Sequence, residues 1–281
     1  MPSKLAHYLP VKKLLTIIEN RTIRFNRLDL VDDLTESLRL KNNYLAKYFY
    51  VSCWTDADNE NIALWNMYGD QMNGACIVMD QFPFEFVEND ESIHTFQWFK
   101  DNTQDCIKNL TFSKVNEIEE QEGLTADRLT MVNGQLDRNK FLYPVLYVNT
   151  LETKHEDEII EYNFDNPKEK VGIVNPSSIA QEKHSDWTFQ NERRYIISFQ
   201  KLFSWHGEIN KAKMKNDKNN INEIDIKLSD ASFHAMKIIF GPHCTEVNKQ
   251  QVIEKCKSIS NSIIFSDSIW TGKIKKEKQG I

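Results

Sequence analysis

Apolar residues fall at Val11, Leu14, Leu15 and Ile18, the i, i+3, i+4, i+7 spacing of one helix face, with Pro10 just ahead. This predicts an amphipathic helix over about 11–20. Thr22-Ile23-Arg24-Phe25 then reads as a short strand, and residues 29–42 read as helical. Tyr48 to Cys53 is aromatic and β-branched, the composition of a strand. A polar loop from Asp56 to Asn61 leads into a short helix, Ile62 to Tyr68, stopped by Gly69. Gly74 to Asp80 reads as a second buried strand.

The pattern loosens from about 85 to 140, where the chain is more polar and predicts a helical insertion. Its charged stretch Lys114 to Glu122 suits a lid or a partner-binding element. Strand character returns at Leu142 to Val148, and Glu152 to Glu161 reads as an acidic helix surface. Arg193 to Phe199 is a strand, and Trp205 to Asn222 is a Lys/Asn-rich excursion. Glu223 to Leu228 and Met236 to Phe240 are strands, and Gly241-Pro242 is a turn. A helix over Glu246 to Ser260 and a strand over Ser262 to Ser266 follow. Many strands with non-alternating helices predict an α+β fold. The chain reads as a single domain, 1–281, and it carries no G-x-G-x-x-G or Walker A sequence.

Composition narrows this picture. With 40% hydrophobic and 27% charged residues, the chain is neither disordered nor fibrous. A formal net charge of −6 excludes a whole-surface basic footprint for nucleic acid. Five cysteines without a C-x-x-C pair argue against a disulfide scaffold and a Cys-rich zinc site. Cys53 and Cys76, inside apolar runs, are expected in the core. No segment has the apolar h-region of a signal peptide or the roughly 18 apolar residues of a membrane span, so a cytoplasmic protein is expected.

Three groups of residues carry candidate chemistry. His7-Tyr8 precedes the first helix, and a histidine there can hydrogen-bond a ribose hydroxyl through one ring nitrogen. Trp65 and Tyr68 are three apart on a short helix and share a face, so one of them could stack on a flat cationic ring. In Lys183 to Tyr195, Gln190 and Glu192 point to one face if the chain is extended there. Glu192 then stands at the mouth of an apolar strand, behind Trp187. Taken singly, these features equally describe an exposed histidine, an aromatic core stripe and a surface Glu paired with Lys183, Arg193 or Arg194.

Taken in order, they resemble a bacterial family, long described as a domain of unknown function, within the ADP-ribosyltransferase superfamily. The resemblance is carried by His7-Tyr8, Val51-Ser52-Cys53-Trp54, Leu64-Trp65 with Tyr68-Gly69 and Gly74, Lys183 with Trp187, Glu192 and Arg194, and Ile238 to Pro242. Where the family carries a first acid two residues before the Glu, this chain has Gln190. In that superfamily such a Gln is similar to transferases acting on amides or nucleobases.

The resemblance implies a split β-sheet core with surrounding helices, NAD as co-substrate and no metal. It implies that Glu192 stabilises an oxocarbenium-like transition state and holds a ribose hydroxyl, with Gln190 orienting the acceptor. His7, supported by Tyr8, would hold the adenosine ribose. Tyr68 or Trp65 would stack on nicotinamide, and Ser52 would support Glu192 from the neighbouring strand. Arg194 would be either a phosphate contact or an ion-pair partner. Relatives include an RNA-modifying toxin coupled to an antitoxin and a SecB-like chaperone in phage defence, so RNA is the expected acceptor. Lys211, Lys213, Lys215 and Lys218 are a candidate basic surface. The alternatives are a protein ADP-ribosyltransferase, an NAD glycohydrolase and a non-enzymatic binding module.

Overall fold

The computed structural model describes residues 3–33, 35–36, 46–87, 106–110, 112–113, 129–131, 142–153, 160–162, 172–174, 180–201 and 222–275. The first strands are β1 (Lys4–Leu9), β2 (Thr22–Arg27), β3 (Phe49–Asp56) and β4 (Ala75–Asp80). Short strands follow: β5 (Phe86–Val87), β6 (Cys106–Leu110), β7 (Phe112–Ser113), β8 (Leu129–Met131), β9 (Leu142–Pro144), β10 (Leu146–Val148), β11 (Ile160–Tyr162), β12 (Gly172–Val174) and β13 (Glu182–His184). The last four are β14 (Glu192–Lys201), β15 (Glu223–Lys227), β16 (Lys237–Phe240) and β17 (Ile264–Asp267). The helices are α1 (Val11–Asn20), α2 (Ile62–Met67), α3 (Asp230–His234) and α4 (Glu246–Lys257).

The main sheet runs β17-β16-β4-β1-β3-β2-β15-β6, with β14 along the other edge of β3. It is mainly antiparallel, the exceptions being β16 with β17 and β15 with β6. Apart from one parallel β16-α4-β17 unit, sheet and helices are mixed without βαβ alternation, as the α+β reading expects.

The sheet divides at β3. Thr55 and Asp56 pair with Ala6 and Leu5 of β1, whereas Val51 and Tyr50 pair with Asn26 and Arg27 of β2. Both neighbours therefore share one edge of β3, and Ser52 to Trp54 pair with neither. At the gap, the His7 ring reaches across to the Cys53 carbonyl.

Strand alternation sends the side chains to two faces. One face holds the larger core, with Leu5, Phe25, Trp54, Ile77, Tyr195 and Ile197 packed under α1 and α4. In α1, Val11, Leu14 and Ile18 are buried, the stripe that the sequence spacing predicts. The other face carries a smaller cluster in which Tyr8, Leu64, Trp65 and Cys76 meet.

Several expectations change. Within 85–140 the described residues form strands β5 to β8 and not a helix, and β6 joins the main sheet beside β15. Lys114 to Glu122 lies outside the described residues. Residues 28–30 make one 3-10 turn, and helical backbone appears at 35–36, so no α-helix starts at 29. The acidic run ends in strand β11, not in a helix. Among the described residues, no helix is long and apolar enough to cross a membrane.

Candidate active site

A cavity of about 550 Å³ opens where the sheet divides. Of the eight residues singled out by sequence, it is lined by His7, Tyr8, Ser52, Tyr68, Gln190, Glu192 and Arg194, whereas Trp65 stands apart. The volume lies within the roughly 300–1,000 Å³ of small-molecule and cofactor pockets.

Strand register explains the convergence. Glu192 is opposite Thr55, and Arg194 is opposite Cys53, so these four side chains share a face. Ser52 is opposite Tyr195 and points to the other face. There its hydroxyl accepts from the Trp54 indole at 3.0 Å. The expected support of Glu192 by Ser52 is therefore displaced by one residue: the Cys53 thiol bonds the carboxylate instead. Cys53, expected in the core, is only partly buried and lines the cavity. Burial, then the Glu192 charge, raise its pKa, so it remains a thiol that donates.

Glu192 is 6% exposed, and both its oxygens are engaged. Arg194 Nε donates to Oε1 at 2.5 Å and Lys183 Nζ to Oε2 at 3.0 Å. Arg194 also forks onto Glu36 and donates to the Ala180 carbonyl. Two carboxylates and two cations thus form a charge-balanced buried cluster. Burial pushes the Glu192 pKa up, but the Arg194 and Lys183 charges with their hydrogen bonds outweigh it and hold it at about 2. Arg194, 1% exposed, pairs with Glu192 and Glu36, the ion-pair arrangement that is one of its two expected roles.

Gln190 and Glu192 meet by an unexpected route. Gln190 is not extended: it ends a 3-10 turn over Ser185–Gln190, and Asn191 follows in the left-handed region at φ 43°. Asparagine tolerates that conformation, and its side chain is held by Asp56. The chain reverses there, and both residues turn to Lys183. Lys183 Nζ donates to Gln190 Oε1 at 2.8 Å and lies 4.8 Å from the Trp187 ring. Gln190 Nε2 donates to Tyr68 Oη at 3.0 Å.

Tyr68 is partly exposed at the cavity and Trp65 is fully buried. The Trp65 indole donates to Glu60 and meets Tyr8 edge-on at 4.7 Å. Gly69 makes room for it, since a Cβ there would lie 2.8 Å from Trp65 Cε3. Trp65 is thus a core residue, and Tyr68 alone of the pair can meet a ligand. Asn61 caps α2 and donates to the Phe189 carbonyl, which sets Tyr68 opposite Gln190. Tyr8 is buried, and its hydroxyl accepts from the Asn61 amide.

His7 Nδ1 lies 2.8 Å from the Cys53 carbonyl oxygen. A carbonyl only accepts, so Nδ1 carries the proton. Burial lowers the His7 pKa to about 4 against the raising effect of that bond. The ring is neutral at pH 7, leaving Nε2 as an acceptor.

Sequence reasoning missed Glu36 and Asp33. Asp33 is 8% exposed and lines the cavity. Its Oδ1 accepts from Thr35, while its Oδ2 is buried without a hydrogen-bond partner among the described residues. Neither stands beside any of the residues that carry the resemblance. Lys183 belongs to the quoted block but had no assigned role. Among the described residues, no cluster of His, Cys, Asp or Glu could hold a metal. Lys211, Lys213, Lys215 and Lys218 lie outside the described residues.

A protein-family model described as "Protein of unknown function (DUF2971)" matches residues 64–195. That span holds Tyr68, Lys183, Gln190, Glu192 and Arg194 but neither His7 nor Cys53. No curated protein and no solved structure matches the chain.

Proposed function

We propose that this chain is an NAD-dependent ADP-ribosyltransferase with RNA as its acceptor. The observation that carries the reading is the meeting of His7, Tyr68 and Glu192, which are far apart in sequence, on one cavity at the division of the sheet. That division supports a split-sheet core of the ADP-ribosyltransferase kind.

The residues fit NAD. Among the described residues, Asp33 Oδ2 is a buried acceptor lacking a donor, which a ligand rich in hydroxyl and amide groups can satisfy. His7 Nε2 is a neutral acceptor suited to a ribose hydroxyl. Glu192 has about four lone-pair sites, of which Arg194, Lys183 and Cys53 use three. About one remains for a ribose hydroxyl.

NAD supplies a glycosidic C–N bond whose electron pair departs with neutral nicotinamide, so the chain needs no strong acid. Glu192, ionised at neutral pH, stabilises the positive charge that develops at the ribose carbon. Tyr68 borders the nicotinamide end. The acceptor oxygen or nitrogen forms the new bond and gives up its proton to solvent water.

RNA as acceptor follows from Gln190, through the resemblance to transferases acting on amides or nucleobases. The toxin role in phage defence, with an antitoxin and a SecB-like chaperone as partners, is proposed with it. One observation favours a second reading, a binding module: Glu192 sits in a closed ion-pair cluster of the kind that also serves structure. Labelled NAD incubated with separate pools of RNA, DNA and protein decides between them. Transfer to RNA supports the proposal. Absence of both transfer and nicotinamide release refutes it.

A further inference from the structure

We propose that Lys183 and Gln190 act as positioning residues that commit the Tyr68 hydroxyl to donate its proton to an acceptor atom of the ligand. This rests on the NAD reading only for the ligand's identity, where the acceptor is the carboxamide carbonyl.

Donors and acceptors along Lys183, Gln190 and Tyr68 can be matched in one way only. An ammonium has three donors and no acceptor, so the group facing Lys183 Nζ must be the Gln190 carbonyl oxygen. The 2.8 Å contact fixes this assignment, because the opposite amide orientation would set donor against donor. The Gln190 NH₂ therefore faces Tyr68, and at 3.0 Å the tyrosine oxygen must accept. Burial raises the Tyr68 pKa, with the Asp32 charge acting in the same direction, so the hydroxyl keeps its proton. Tyr68 Oη has no other hydrogen-bond partner among the described residues, and Tyr68 lines the cavity. The order Lys183, Gln190, Tyr68, ligand is thus a one-way chain of donors.

A carboxylate at position 190 would reverse the last link. It accepts from Lys183 and from Tyr68 alike, which takes the tyrosine proton away from the ligand. The residue at 190 would then set the polarity of the cavity wall through the Tyr68 hydroxyl.

The test has two readouts. Ultraviolet resonance Raman resolves accepting from donating tyrosine hydroxyls, and subtraction of Tyr68→Phe isolates Tyr68. We expect an accepting hydroxyl in the unliganded protein. At pH 8, which keeps the introduced carboxyl ionised, Gln190→Glu should turn it into a donor. Gln190→Met should abolish the accepting signature without adding charge. An unchanged Tyr68 signature in both variants overturns the proposal. Nicotinamide release then tests the ligand: Tyr68→Phe should raise the KM for NAD roughly fivefold and leave kcat within about twofold. Gln190→Glu should raise KM comparably, and the double variant should be no worse. An unchanged KM in Tyr68→Phe overturns donation to NAD. If the wild-type protein releases no nicotinamide, the NAD reading fails, and the Raman arm still decides the hydroxyl's polarity.

Discussion

Arg194 follows Glu192 by two residues on one strand face and donates to it at 2.5 Å, while its other arm forks onto Glu36, 158 positions away. All three are nearly inaccessible to water. Removing one member leaves an uncompensated buried charge, which costs about 3–5 kcal/mol. Arg194→Met should therefore lower the free energy of unfolding by an amount in that range, read from urea titration as a lower midpoint. Glu36→Leu with Arg194→Met removes one charge of each sign and leaves Lys183 with Glu192. The double variant should be more stable than Arg194→Met alone. A double variant as unstable as the two single losses added together would show the residues to be uncoupled.

The same cluster predicts an acid limb. The Glu192 pKa is lowered to about 2 from an ordinary 4.5, so the folded state holds its carboxylate ionised. Stability from this source is present above about pH 4.5 and is lost as pH falls towards 2, because the unfolded chain then binds the extra proton. The contribution at neutral pH is on the order of 3 kcal/mol. Urea midpoints at pH 7, 4 and 3 should fall along this limb, and Glu192→Gln should flatten it. A variant that retains the full wild-type slope would assign the limb to other groups.

How much of this site could be read from sequence follows from range. The α1 stripe and the apolar strand after Glu192 are local periodicities, so Leu14, Ile18 and Ile197 fall where expected. The identity of the residue beneath Glu192 depends on the pairing of β14 with β3. A slip by one residue exchanges Ser52 for Cys53, and nothing local marks that register. Trp65 and Tyr68 look equivalent by spacing, and only the packing of Tyr8 and Gly69 against the indole separates them. Glu36 and Asp33 come from the stretch between β2 and β3, which carries none of the residues that the resemblance rests on, so nothing local marks them for the site.

His7 offers a test of the divided sheet. Its Nδ1–H donates to Cys53 across the gap between β1 and β2, and burial lowers its pKa to about 4. Nitrogen-15 NMR should show a neutral ring protonated at Nδ1 from pH 8 down to about 5. Because its folded pKa is below the unfolded 6.5, the stability linked to His7 is present above that value and is lost as pH falls towards 4. A neutral ring protonated at Nε2 would remove the Cys53 bond and free no acceptor for a ribose, and a ring that titrates near 6.5 would show that burial does not hold His7 neutral.

Glu192 itself needs a variant gentler than alanine. From sequence, Glu192→Ala reads as a change that abolishes activity and spares the fold, but the carboxylate offsets two buried cations, Arg194 and Lys183. Alanine would confound chemistry with stability. Glu192→Asp keeps the charge and withdraws the oxygens by one methylene, a displacement of about 1 Å or more, which costs on the order of 100-fold when geometry matters. We expect kcat for nicotinamide release to fall by about that factor, with a urea midpoint closer to wild type than that of Glu192→Gln. The contrast separates the two roles of the residue. If Glu192→Asp loses stability as Glu192→Gln does yet keeps its kcat, the carboxylate serves the ion-pair cluster and not the reaction.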